Sequence, residues 1–207
     1  MIKKKPYKYF SKLFLIAFLC CSFSVKAQLL DSIAIDTVPT YTLERALKQD
    51  PLKVYKLNLK KLKLTEIPEE VYQFKNLNVL NLSKNKLKEF PVRIGEFSYL
   101  QELNISDNKI EIITKELGLL LHLKKLEANQ NGLVSIPSEI KFLKKLEYMD
   151  LWGNDIGALP YEIAELQNTL KEIDMRVILM SKAEHEKIKS LLPNTKIKFS
   201  KSCNCGF

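Results

Sequence analysis

Histidine, glycine and tryptophan are scarce in this chain, and the scarcity narrows its chemistry. Two histidines occur in 207 residues, His122 and His185, and neither joins a serine or cysteine in a recognisable nucleophile motif. No H-E-x-x-H pair is present, and the six glycines build no phosphate-cradling loop. The sequence singles out no catalytic, cofactor-binding or metal-binding residue, so an enzyme is not expected. The apolar run from Leu13 to Cys21 is shorter than the ~20 residues that cross a bilayer as a helix.

That run follows Lys3, Lys4, Lys5, Lys8 and Lys12, and Val25-Lys26-Ala27 offers a short-residue cleavage site before Gln28. This is the three-part layout of a secretory signal peptide over residues 1–27. It implies export, to the medium, the periplasm or the cell surface, with no transmembrane segment in the mature chain. Cys20 and Cys21 leave open a lipoprotein reading, although Leu19 and Cys20 stand where a lipobox needs a small residue. Cleavage removes six lysines and no acid. The formal charge falls from +9 to +3, with 27 basic against 24 acidic residues, and a nucleic-acid partner is not expected.

The rest of the chain repeats itself. From Leu77, Leu100, Leu123 and Leu146 the same skeleton runs four times, and Asn85, Asn108, Asn131 and Asn154 lie 23 residues apart. Val54 to Asn76 is a degenerate first copy with Leu62 at its Asn position, and Leu170, Ile173 and Met175 open a last strand. The L-x-x-L-x-L-x-x-N-x-L head resembles the leucine-rich-repeat family, and the I-P-x-x-I and L-P-x-x-I segments resemble its 23-residue type, as in small secreted bacterial members.

The physical reading agrees with the resemblance. A period of two points the leucines of a short strand to one side, and a repeat that cannot bury its apolar face alone does so by stacking. The resemblance implies an α/β leucine-rich-repeat solenoid: short parallel strands on a concave face, a helical N-terminal cap and a helix-strand C-terminal cap. It also implies that each Asn amide is buried against backbone groups of adjacent coils. Pro68, Pro91, Pro137 and Pro160 set the convex return, and Thr114 breaks that row.

Around residues 53–176, read as five repeats and a terminal strand, three segments are expected. Residues 28–40 read as a flexible linker, with Asp31-Ser32-Ile33 and Asp36-Thr37-Val38 similar to short bacterial O-glycosylation sites. Residues 41–52 read as a capping helix, Leu43 to Gln49, with Thr42 as N-cap and Leu43, Ala46 and Leu47 on its apolar face. Residues 177–207 read as a C-terminal cap: a helix begun by Ser181 and Glu184 as a capping box, then a strand from Thr195 to Phe199. Cys203 and Cys205 form a terminal C-x-C pair, open to a local disulfide, a thiol pair or an intermolecular link. Asn81-Leu82-Ser83 and Asn104-Ile105-Ser106 match the N-glycosylation sequon because of where the repeat places Asn and Ser.

In this family the residues between the leucines line the concave sheet, a surface that takes protein or peptide ligands. The column between the second and third leucines reads Asn58, Asn81, Asn104, Glu127, Asp150 and Asp174. The column after it ends in Trp152 and Arg176, and the column before it in Tyr148 and Glu172. Aromatics flanked by charge are enriched at interface hot spots. Tyr148, Asp150, Trp152, Asp174 and Arg176 are therefore the expected contact residues for a protein or peptide partner. The alternative is an envelope component anchored through its N-terminal segment or its cysteines.

Overall fold

Each 23-residue coil begins with a strand of three or four residues whose second residue is buried. The computed structural model describes residues 29–200. Six such strands are β2 (Lys56–Asn58), β3 (Val79–Asn81), β4 (Glu102–Asn104), β5 (Lys125–Glu127), β6 (Tyr148–Asp150) and β7 (Glu172–Met175). They pair in parallel, in sequence order, with Leu57, Leu80, Leu103, Leu126, Met149 and Ile173 in one row. The fold is the expected repeat solenoid. Every residue of that row is essentially inaccessible, and burying each stabilises the fold by roughly 1.5–3 kcal/mol.

The strands are short because the backbone turns out of the sheet four residues after each buried centre. Lys61, Lys84, Asp107, Gln130, Gly153 and Val177 hold φ between 53° and 67°. The next residue anchors the turn. Asn154 accepts from Leu133 N at 3.1 Å and donates to Ala128 O at 3.0 Å and Leu151 O at 2.7 Å. Asn85, Asn108 and Asn131 reach back to the preceding coil in the same way. Buried peptide groups that would otherwise cost ~1–3 kcal/mol each are satisfied. Leu62, at this position in the first coil, is half-exposed.

The return path is a 3-10 helix in every coil: Glu69–Gln73, Val92–Glu96, Lys115–Leu119, Ser138–Phe142 and Tyr161–Leu166. Proline precedes four of them. Thr114 precedes the third in a similar extended conformation, φ −83° and ψ 166°, so the position needs extended backbone rather than proline itself. Successive helices pack closely. A side chain on Gly118 would put its Cβ 2.7 Å from Glu139 Cβ.

Both ends of the sheet are longer than the repeats. At the N-terminus, β1 (Thr40–Thr42) pairs with β2, followed by a short helix, Leu43–Ala46. This helix stops three residues before the expected Gln49. Thr42 makes no side-chain cap bond, and of the expected apolar face Ala46 is buried while Leu47 is exposed.

The flexible linker expected over residues 28–40 is not seen from Leu30 onward. Asp31 caps a helix over Ser32–Thr37, accepting from Ala34 N at 2.8 Å, and Leu30 and Ile35 are buried. The segment is held by side chains of later coils. Asn78 Oδ1 accepts from Leu30 N at 3.0 Å, Gln101 Nε2 donates to Leu30 O at 2.6 Å and Lys56 Nζ to Ile35 O at 3.0 Å. It straps the strand-entry edge of the solenoid.

At the C-terminus a helix runs Lys182–Leu191, with Ser181 Oγ accepting from Glu184 N at 3.1 Å. Then β8 (Lys196–Phe199) pairs in parallel with β7. One sheet of eight strands results, two more than the repeats alone supply. Residues 1–27, expected to be a signal peptide, and the expected pair Cys203 and Cys205 lie outside the described residues.

Candidate functional site

The sheet register brings Tyr148, Asp150 and Trp152 onto the outer face of one strand and its exit. Alternate residues of a strand share a face, and Met149 and Leu151 between them are fully buried. Tyr148 and Trp152 are each half-buried. Among the described residues neither the Tyr148 hydroxyl nor the Trp152 indole N–H has a hydrogen-bond partner. Lys125 Nζ lies 5.7 Å from the Tyr148 ring centroid. The C-terminal helix packs against the last 3-10 helix, Tyr161–Leu166.

Charge around Tyr148 is mostly negative. Burial, then Asp150, Asp174, Glu127 and Glu172, push its hydroxyl up to about 12. Burial also raises the Asp150 carboxyl above the usual aspartate value, against hydrogen bonds from Trp152 N and Asn129 and with repulsion from Asp174 and Glu127. Asn129 Nδ2 donates to Asp150 Oδ2 at 2.5 Å, and Asn104 Nδ2 to Glu127 Oε2 at 2.8 Å. Glu127 is neutralised by Lys125 at 3.1 Å. Glu102 and Asp150 have no ion pair among the described residues.

Asp174 and Arg176 stand differently. The Asp174 side chain is only 4% exposed. It accepts from Arg176 Nε at 3.0 Å, Nη2 at 2.7 Å and the backbone N at 3.1 Å. Burial opposes its charge, but these bonds hold its carboxyl below the usual value. Asp174 therefore contributes its field and the placement of Arg176, rather than accessible surface. Arg176 remains half-exposed beside Trp152.

A structural role in this column is not apparent from the repeat pattern read as exposed positions. Asn58, Asn81, Asn104, Asp150 and Asp174 each accept, through a side-chain oxygen, from the backbone N–H two residues on. These Asx turns end the strands. The signal was present: five of six residues in the column are Asn or Asp. Glu127, one methylene longer, is the exception and turns to its neighbours instead. Asn81 and Asn104, the two sequon asparagines, have their side chains engaged in this way. Among the described residues no three His, Cys, Asp or Glu side chains are grouped so as to hold a metal ion.

A family model described as leucine rich repeat matches residues 53–110. The chain is built of leucine-rich repeats. A leucine-rich-repeat protein of Leptospira interrogans is 37% identical, with a TM-score of 0.63 over 71% of this chain and 36% of that one. This leucine-rich-repeat chain thus spans about a third of that protein's length. Internalin C2 of Listeria monocytogenes shares the fold at 22% identity, with a TM-score of 0.59 over 72% of this chain and 62% of that one. The ectodomain of the plant membrane receptor kinase GASSHO1/SCHENGEN3 of Arabidopsis thaliana, solved in complex with Casparian strip integrity factor 2, is 26% identical. Its TM-score is 0.57 over 72% of this chain and 19% of that one. No curated protein matches the sequence. Proteins of this fold are in general interaction modules.

Proposed function

We propose that this leucine-rich-repeat chain is an exported, non-catalytic module that binds a protein or peptide on its concave sheet, over Tyr148, Asp150 and Trp152, with Arg176 at the margin. One observation carries the reading. Two half-exposed aromatics on one strand flank an acid without an ion pair, and their polar tips have no partner within the described residues. Large amphipathic rings with a free donor suit a binding surface. The Asp150 carboxylate, which forms no ion pair among the described residues, favours a ligand with a cationic group beside an apolar one. That a related ectodomain was solved in complex with a partner supports the reading. Export rests on the signal-peptide pattern of residues 1–27.

The sheet alone is small. Eight strands about 4.8 Å apart, three residues long, offer roughly 340 Å², against the ~800 Å² per partner of a standard interface. Flanking turns therefore share the contact. A second reading, an envelope component held through its N-terminal segment or through Cys203 and Cys205, rests on the cysteines at the end of the apolar run and in the terminal C-x-C.

The test is a crosslinking pull-down from envelope and culture-medium extracts. It compares the native chain with a Tyr148→Ala, Trp152→Ala double variant of equal thermal stability. A partner captured by the native chain and lost by the variant is expected. Equal capture would move the site to the turns or caps. No capture by either would remove the binding-module reading and favour anchoring, checked by mass spectrometry of the mature N-terminus and of any disulfide-linked dimer.

A further inference from the structure

Several lysines that lie between a 3-10 helix and the next strand, or in the C-terminal cap, sit against acids. Lys75 pairs with Glu96, Lys144 with Glu165, Lys171 with Glu147 and Lys189 with Glu186, while Glu172 takes both Lys196 and Lys198. The turns that leave the sheet in the first three coils are different. They carry Lys60, Lys61, Lys63, Lys84, Lys86, Lys88 and Lys109, all exposed. Among the described residues only Lys84 of these has an ion pair, with Asp107 at 3.6 Å.

The repeat stacks these charges. Lys61 and Lys84 are one period apart, as are Lys63, Lys86 and Lys109, so they form columns with coils about 4.8 Å apart. Like charges held side by side destabilise a sheet. Glu66, Glu89 and Glu111 lie farther along the same turns and form no ion pair with these lysines. A cationic face is thus maintained against its own repulsion.

Farther along the solenoid the same turns become apolar. Ile112, Val134, Val177 and Leu179 are exposed, Leu179 at 97%. Val177 is also a β-branched residue at φ 56°, a conformation that such residues rarely hold. Lysines at one end of a flank and bare aliphatics at the other are the two components of attraction to an anionic bilayer surface. Headgroup phosphates attract the lysines, and the acyl boundary accepts the aliphatics. An acidic polysaccharide would engage the lysines and leave Leu179 in water.

We propose that the sheet-exit turns form a docking face for an anionic phospholipid surface, with the lysines of the first three coils on the headgroups and Val177 and Leu179 entering the boundary. This face is separate from the concave sheet and does not depend on the ligand proposed there. In the docked state the concave sheet stays open beside the membrane.

The protein, in the processed form its cell produces, is to be co-sedimented with phosphatidylcholine vesicles and with vesicles of phosphatidylcholine and phosphatidylglycerol in equal parts. The expected result is binding to the anionic vesicles only, weakened by salt. A Lys63→Glu, Lys86→Glu, Lys109→Glu variant should bind at least about tenfold more weakly. A Lys115→Glu, Lys171→Glu, Lys189→Glu variant, with the same charge change elsewhere, should stay within about twofold of the native chain. A Val177→Ser, Leu179→Ser variant should bind several-fold more weakly at every salt concentration. Thermal melts verify that the variants are folded, and a Lys→Gln triple replaces the Glu triple if that one is not. Equal binding to neutral vesicles, equal loss in the two charge variants, or retention on immobilised polyphosphate without vesicle binding would each overturn the proposal.

Discussion

Trp152 donates its backbone N–H to the Asp150 carboxylate at 3.1 Å, so the residue between the two aromatics of the proposed ligand face also ends its strand. Structure and binding at this position separate by substitution. Asp150→Asn keeps the oxygen that accepts from Trp152, and an amide flip of Asn129 restores the second bond. Since burial is the main force raising the Asp150 carboxyl, removing its charge relieves a cost. Asp150→Asn should be at least as stable as the native chain in urea unfolding, whereas Asp150→Ala should lose about 1 kcal/mol. If the ligand is cationic, both variants lose affinity. Retained affinity in Asp150→Asn would show that the charge is not read.

The asparagines of the turns bear a larger load. Removing the Asn154 side chain leaves Leu133 N and Ala128 O without the bonds they now make, in a site that is 3% exposed. Asn154→Ala should cost roughly 2–4 kcal/mol by urea unfolding. Leu62→Asn places the same residue at the equivalent exposed position of the first coil and should change stability by under ~0.5 kcal/mol.

The repeat was legible because it over-determines itself: Leu80, Leu103 and Leu126 repeat a 23-residue spacing, and each can be buried only if its neighbours stack. The outward columns were legible for the same reason, since a strand fixes which residue faces out. Less legible was what those residues do. Asp174 and Asp150 occupy equivalent positions, yet Asp174 is enclosed because Arg176 follows it two residues later, a local pairing that the period does not encode. The ends were least legible. Leu30 has no periodic partner, and its burial depends on Asn78 and Gln101, which the pattern alone places at a strand-entry position with no assigned role.

Val177 occupies the turn position where Gly153 stands one coil earlier, at φ 56° against 67°. A β-branched side chain pays about 1–2 kcal/mol for this conformation, part of which a glycine returns as unfolded-chain entropy. Val177→Gly should raise stability by about 0.5–1 kcal/mol. Gly153→Val should lower it by more, since its Cβ would also meet Gln130 Nε2 at 3.0 Å. Equal and opposite changes would mean that the backbone conformation alone sets the cost.

His122 predicts a pH dependence. Its Nδ1 lies 2.8 Å from Lys145 Nζ, and its ring stacks on Tyr99 at 6.3 Å. Burial, then the charges of Lys145 and Lys124, lower its pKa below the ordinary histidine value. The unfolded chain therefore takes up this proton first. The contribution of the neutral ring is intact above the unfolded value and is lost as pH falls from there toward the folded one. Unfolding free energy should decline as pH falls through and below the ordinary histidine value of about 6.5. His122→Gln should flatten that decline, leaving the part due to other groups.

Gln101 decides whether the N-terminal strap stays docked. Its Nε2 donates both to Leu30 O at 2.6 Å and to Asn78 Oδ1 at 2.7 Å, and the side chain is fully buried at the strand-entry edge. Gln101→Ala removes both bonds and takes the side-chain donor away from Leu30 O, while Leu30 N keeps its bond to Asn78 Oδ1. Among the described residues the strap is otherwise held by the bond from Leu30 N to Asn78 Oδ1, by the buried Leu30 and Ile35, and by one bond from Lys56 to Ile35 O. Local opening should then precede global unfolding. Hydrogen exchange at Ile35 and Val38 should accelerate by about tenfold or more, as expected for ~1.5 kcal/mol of lost local stability. Amides of β3 to β6 should keep their protection. If exchange accelerates uniformly along the sheet instead, the strap is part of the cooperative core, and its docking is a folding requirement rather than a separable clasp.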